Sequence, residues 1–178
     1  MSLSAPLEHT TIATPAGALT VIVDAGVVVC AGFAPATHMS ARLPADLAAR
    51  ELRSRRDLGA VTAAVHRYLA GDAAALDEVE VSQPGGVFAQ QAWLAMRRIP
   101  PGSTLTYTEL AAAAGRPGAA RAAGNACAAN LVAPFVPCHR VVPAAGGVGG
   151  YAYGAEVKGW LLAHEAGAAG AATDRVAG

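Results

Sequence analysis

The sequence predicts an α+β fold, with a small β-sheet-plus-helix portion in front and a mostly helical portion behind. Three observations carry that reading. β-branched runs broken by Gly and Pro fill the first third of the chain. Apolar residues recur at helical spacing through most of the remainder. Between the two patterns stands Gln83-Pro84-Gly85-Gly86, the strongest break in the sequence. The division gives one domain at residues 1–81, a linker at 82–86 and a second domain at 87–178. With 178 residues, 53% of them hydrophobic and 15% charged, the chain can bury a substantial core and does not have a disordered composition.

The front half opens with HTTIATP, a Pro15-Ala16-Gly17 turn, then ALTVIVDAG and VVVCAGF, which read as an antiparallel meander. Residues from Pro44 to Gly71 read as helical, with Val61, Val65, Tyr68 and Leu69 on one face and Gly71 as the stop. A short strand is expected from Leu76 to Val81. In the second half a helix from Phe88 to Arg98 is expected to bury Trp93, Leu94 and Met96, and Ile99-Pro100-Pro101-Gly102 ends it. Thr106-Tyr107-Thr108-Glu109 has the spacing of a capping box, in which a hydroxyl and a carboxylate satisfy each other's backbone N–H. The helix it starts runs through Ala114 and closes at Gly115. After the Gly115-Arg116-Pro117-Gly118 turn, a second helix spans Ala119 to Ala129. Helix, short Gly-containing turn and helix is the helix-turn-helix pattern.

That second helix, AARAAGNACAA, is almost all small residues, and Arg121 is its one long side chain. A smooth Ala/Gly surface, with Ala120, Ala122 and Gly124 around Arg121, could sit against a minor groove only about 6 Å wide, with Arg121 reaching between bases. An Ala-rich helix in an Ala-rich chain explains the same composition equally well. On the last helix, KGWLLAHEAG, the residues Lys158, Leu161, Leu162 and Glu165 share one face; from Gly167 onward the tail is expected to fray.

Several classes are disfavoured by composition. No apolar run reaches the roughly 18 residues of a membrane span, and the first residues do not read as a signal peptide. Cys30, Cys127 and Cys138 are an odd, sparse set, which fits free thiols in a reducing cytoplasm and lacks the paired spacing of a zinc site. The net charge is zero, but residues 1–86 hold six arginines against nine acids, and residues 87–178 hold seven bases against four. A polyanionic partner therefore suits only the second half.

The stretch PFVPCHRVVP sets Cys138 between a proline and a histidine in apolar company. Such a thiol is either an inert packing residue or a nucleophile. Taken singly, His139 reads as a core histidine, and Asn130 as a helix C-terminal residue tolerating left-handed geometry. Glu165, inward among leucines, reads as the partner of an arginine.

Taken together, these motifs resemble the O6-alkylguanine-DNA alkyltransferase family, the methylated-DNA–protein-cysteine methyltransferases. Its PCHRV signature is present as Pro137-Cys138-His139-Arg140-Val141. The similarity extends through IPPGSTLTYTELAAAAGRPGAARAAGNACAAN and GGYAYGAEVKGWLLAHE, and more loosely to TPAGALTVIVDAGVVVCAGF. The resemblance implies an RNase H-like N-terminal domain and a winged helix-turn-helix-like C-terminal domain. It implies DNA repair by a single, irreversible transfer of a methyl or other alkyl group from O6-alkylguanine to Cys138, with O4-alkylthymine left open. In that reading His139 takes the thiol proton through a water, Glu165 orients the imidazole and Asn130 braces the turn, with Cys138 and His139 pointing apart along an extended strand. Tyr107 donates to the departing base and helps turn the nucleotide out. Arg121 fills the gap, backbone near Cys138 and Val141 reads the base edge, and Tyr151 walls the alkyl pocket. No cofactor, metal, membrane or obligate protein partner is implied. The partner is double-stranded DNA and the expected state is a monomer, with cooperativity along DNA left open. Two competing readings are a non-catalytic protein that flips alkylated bases and recruits other factors, and a cysteine hydrolase. The chain departs from the family pattern at Leu131 (often Pro), Ala152 (often Ser) and Tyr153 (often a small residue), so the pocket is expected to be narrower or differently lined.

Overall fold

Leu7–Thr14 (β1), Gly17–Asp24 (β2) and Val27–Gly32 (β3) pair antiparallel as the expected meander, in a computed structural model that describes residues 5–176, with side chains up to Ala171. The β2–β3 turn puts Ala25 and Gly26 at φ of 49° and 87°. Two consecutive positive φ values give the turn whose twist matches that of the strands it joins. Alternation along β2 splits the two faces: Ile22 packs with Cys30, Met39 and Leu43, whereas Leu19, Val21 and Val23 face the larger core.

The segment from Pro44 to Gly71 is not one helical stretch. Short helices at Ala36–Ser40 (α1) and Ala45–Ala48 (α2) are followed by a strand, Leu52–Ser54 (β4), and only then by the helix Ala60–Leu69 (α3). β4 runs parallel to the start of β1, pairing Leu7 with Leu52, so the sheet order is β3-β2-β1-β4. A free sheet edge outweighs helix propensity in this polar, Arg-rich stretch. The strand expected at Leu76 to Val81 is a 3-10 turn over Ala75–Glu78, with a single bridge from Val81 to Val28.

Behind the sheet, Val87–Arg97 (α4) buries Trp93 and Met96, but Leu94 is 52% exposed, contrary to expectation. Ala92, Trp93 and Met96 define the inner face, and Leu94, one step of about 100° on from Trp93, turns outward. Leu105–Thr106 (β5) pairs parallel with Val141–Val142 (β6), and Tyr107–Ala113 (α5) follows β5 directly. Thr106 and Glu109 form the expected capping box. Ala120–Ala129 (α6) packs on α4, where Trp93 Nε1 donates to the Ala126 carbonyl at 2.9 Å. The last helix, Ala155–Val176 (α7), continues through the tail expected to fray. The larger core cluster joins both halves of the chain, with Val21 and Val65 from the front and Trp93, Phe135 and Leu161 from the back.

Candidate active site

The loop from Asn130 to Arg140 is buried except at Leu131 and is tied to the front sheet. Ala31 N–H on β3 donates to the Leu131 carbonyl at 2.8 Å, and Val136 N–H closes back on the Val132 carbonyl. Cys138, His139 and Arg140 form a 3-10 turn rather than the expected extended strand. Asn130, at the end of α6, has φ −61° and ψ 120°, so it leaves the helix in extended rather than left-handed geometry.

Asn130 is the polar hub of this loop. Its Nδ2 donates to the Val136 carbonyl at 2.8 Å and to Cys138 Sγ at 3.2 Å. Its Oδ1 accepts from Val132 N–H and from Gln83 Nε2, each at 3.1 Å. Burial pushes the Cys138 thiol above its ordinary value; the Asn130 hydrogen bond and the nearby Lys158 charge oppose this by favouring the thiolate. Lys158, itself buried, spends its ammonium on the carbonyls of Val141 at 2.7 Å and Gly150 at 3.3 Å.

On the other side of the turn, His139 Nε2 lies 2.8 Å from Glu165 Oε1. Glu165 Oε2 accepts from Arg140 Nε at 2.9 Å, and the Tyr68 hydroxyl donates to Oε1 at 3.0 Å. Burial alone would raise the Glu165 carboxyl, but His139 and Arg140 outweigh it and hold it down at about 2. Burial lowers the His139 imidazole and keeps it neutral, against the pull of Glu165. A carboxylate on Nε2 places the ring hydrogen there and leaves Nδ1 with its lone pair. Among the described residues, His139 Nδ1 and the Tyr151 hydroxyl are buried polar atoms with no hydrogen-bond partner.

Cys138 opens onto a pocket of about 330 Å³, lined also by Tyr107, Cys127, Asn130, Tyr151 and Tyr153. That volume lies at the lower end of the range of small-ligand sites, roughly 300–1,000 Å³. The β5–β6 pairing brings Tyr107 there, since Tyr107 follows Thr106 and Val141 follows the Cys138 turn. Burial raises the Tyr107 phenol, as do Cys127 and Cys138, so its proton is retained at neutral pH. Gly124 on α6 faces the Tyr107 ring. Arg121 projects into solvent from α6, and Ala120 and Ala122 beside it are partly exposed. Val141 lies outside the pocket lining, its N–H donating to the Cys138 carbonyl and its own carbonyl accepting from Lys158.

Residues 87–167 match the family described as 6-O-methylguanine DNA methyltransferase, DNA binding domain. A crystal structure of the Mycobacterium tuberculosis O6-methylguanine methyltransferase superposes with a TM-score of 0.74 at 31% identity, covering 90% of this chain and 93% of that one. The chain belongs to this methyltransferase family. The Mycobacterium tuberculosis protein OGT in complex with DNA is similar at a TM-score of 0.73 and 31% identity, covering 90% of this chain and 94% of that one. The methylated-DNA–protein-cysteine methyltransferase of Salmonella typhimurium is 48% identical over 98 residues, or 55% of this chain. The chain spans 57% of the length of that relative.

Within this chain, Cys138, Asn130, Tyr107 and Tyr151 gather at one pocket, with His139 and Glu165 paired in the interior. Four contributors were not among the expected site residues. Gln83 read as part of a linker, and Tyr68 as one more core residue of α3. Arg140 was legible only as the unspecified arginine that an inward Glu165 would need. Arg42, on the loop after α1, donates to the Asn130 carbonyl at 3.3 Å and to the Tyr153 hydroxyl at 2.8 Å.

Proposed function

We propose that this chain repairs O6-alkylguanine in double-stranded DNA by moving the alkyl group onto Cys138, once per molecule and without a cofactor. The observation that carries this reading is one sulfur in a pocket wall, with an amide donor on it and a buried imidazole–carboxylate pair beside it. Family membership supports it. The His139 Nδ1 lone pair takes the thiol proton by way of a bridging water, and Glu165 steadies the imidazolium that forms. The thiolate attacks the alkyl carbon in line, so the S–C bond forms as the C–O6 bond breaks. The freed electron pair moves into the purine, and Tyr107 meets that charge by donating its hydroxyl proton to the ring. Solvent returns the imidazolium proton to the tyrosinate, so guanine leaves neutral.

A pocket can reach the lesion only if the nucleotide leaves the stack, which costs a few kcal/mol. The small-residue face of α6 lies against the minor groove, and Arg121 occupies the space left behind. The protein acts as a monomer in the reducing cytoplasm, where its three free cysteines stay reduced. Among the described residues no helix is long and apolar enough to cross a membrane.

A duplex carrying O6-methylguanine with a tritiated methyl group tests the reading. The label should move to the Cys138 peptide, stop at one equivalent, and be absent in Cys138→Ser. Tight binding without transfer, or label released into solution over many turnovers, would overturn it. O4-methylthymine in the same duplex tests the breadth of the activity.

A further inference from the structure

We propose that Gln83, in the segment between the two halves, is a positioning residue that sets the Asn130 amide so that its N–H points at the Cys138 sulfur. Backbone groups fix the polarity of the whole chain of contacts. Leu131 N–H donates to Gln83 Oε1 at 2.7 Å, so the other end of that amide, Nε2, faces Asn130. Oδ1 of Asn130 receives that N–H together with Val132 N–H, and both of its lone-pair directions are occupied. Nδ2 is then turned to the Val136 carbonyl and to Sγ. A flipped Asn130 would point an oxygen at the sulfur and at a carbonyl, and an NH₂ at two donors. Three of the four contacts would turn repulsive, and the fourth would stabilise the thiol instead of the thiolate.

Gln83 is nearly buried, at 9% exposure, and is itself held in place, since Gln90 Nε2 donates to its carbonyl at 2.8 Å. The arrangement is a relay of two amides running from a backbone N–H to the nucleophile. Hydrogen bonds in such a chain polarise one another, so the first amide strengthens the donor of the second. A donor on sulfur favours the thiolate over the thiol. Pro84, Gly85 and Gly86, after Gln83, make no such contact with the loop, which separates this role from that of a plain connector.

This inference rests on Cys138 being the nucleophile, but its test needs no damaged DNA. The rate of carboxamidomethylation of Cys138 by iodoacetamide is followed against pH, with Cys30 and Cys127 replaced by Ala throughout. Gln83→Met, which keeps length and loses both side-chain hydrogen bonds, should raise the titration midpoint by about one pH unit, leaving about tenfold less thiolate at neutral pH. In an Asn130→Ala background the same change should move the midpoint by less than a third as much. A midpoint unmoved by Gln83→Met, or an equal shift in both backgrounds, would overturn the proposal. If Gln83→Met does not fold, the side-chain amide resonances of Gln83 in the otherwise native chain decide. Methylating Cys138 should shift them, and unmoved resonances would overturn the relay.

Discussion

Glu165 Oε1 lies 2.8 Å from His139 Nε2 with both side chains withdrawn from water, and the second oxygen of the same carboxylate holds Arg140 at 2.9 Å. One carboxylate therefore serves three partners, the Tyr68 hydroxyl included. Against Arg140 it neutralises a buried guanidinium, and against His139 it fixes which ring nitrogen carries the hydrogen. Replacing it with Gln should leave the buried Arg140 with only the partly exposed Asp77 carboxylate, 4.0 Å away, as counter-charge, at a cost of about 3 kcal/mol. Urea unfolding of Glu165→Gln should show that loss. A change below about 1 kcal/mol would mean that the ion pair is not structural.

The same pair sets the acid stability of the fold. The Glu165 carboxyl lies near 2 in the folded chain, below its ordinary 4.5, so its contribution is complete above pH 4.5 and is lost as pH falls towards 2. By linkage this amounts to something on the order of 3 kcal/mol. His139 acts earlier. Its folded-state value is depressed, so stability declines once pH falls below the ordinary 6.5, where the unfolded imidazole gains a proton that the folded one resists. Stability measured in urea should fall in two stages, first below about pH 6.5 and again below about pH 4.5. A His139→Gln variant should lose the first stage and keep the second.

Tyr153 lines the pocket, yet its hydroxyl leaves the pocket for the front half of the chain. It accepts from Arg42 at 2.8 Å and lies against Gly32 on β3, where an added Cβ would collide with the phenol. Gly32→Ala should displace that ring and destabilise the fold by about 1–3 kcal/mol. Tyr153→Gly should widen the pocket and raise the ratio of benzyl to methyl transfer from O6-alkylguanine. Unchanged ratios, measured by competitive labelling in DNA, would show that the ring does not bound the alkyl site.

DNA binding should depend weakly on salt. Arg121 is the one basic residue of α6, and its neighbours are Ala and Gly. A plot of log affinity against log salt should have a slope shallower than about −4, since each neutralised phosphate contributes about −0.9. Arg121→Ala should reduce methyl transfer from duplex far more than from single-stranded substrate, because only a stacked base leaves a gap to fill.

Much of the site could be read from the sequence because the relevant positions are contiguous or one helix face apart. The Pro137-Cys138-His139-Arg140 motif, though not its turn geometry, the capping box that places Tyr107, and the inward face of α7 bearing Lys158 and Glu165 are all local patterns. What the sequence does not show depends on contacts far apart in the chain. Tyr68 reaches Glu165 across 97 positions and Gln83 reaches Asn130 across 47. No spacing rule links such pairs. The same reason explains the misread front segment: β4 exists because the start of β1 offers it an edge, and nothing within Leu52–Ser54 declares a strand. Leu94 was misassigned for a different cause, because in an Ala-rich helix the apolar stripe is wide and its centre is poorly marked.

Whether His139 serves as the base for a sulfur that burial keeps protonated is tested most directly by the pH dependence of single-turnover methyl transfer in the native chain and in His139→Gln. With the imidazole in place, the rate constant should stay level from about pH 7 to 8.5, since the neutral base is already fully populated there. Without it, the rate should fall by about 10²–10⁴-fold at neutral pH and climb about tenfold per pH unit as hydroxide takes over the deprotonation. Two parallel profiles, or a variant within threefold of the native rate, would contradict the assignment.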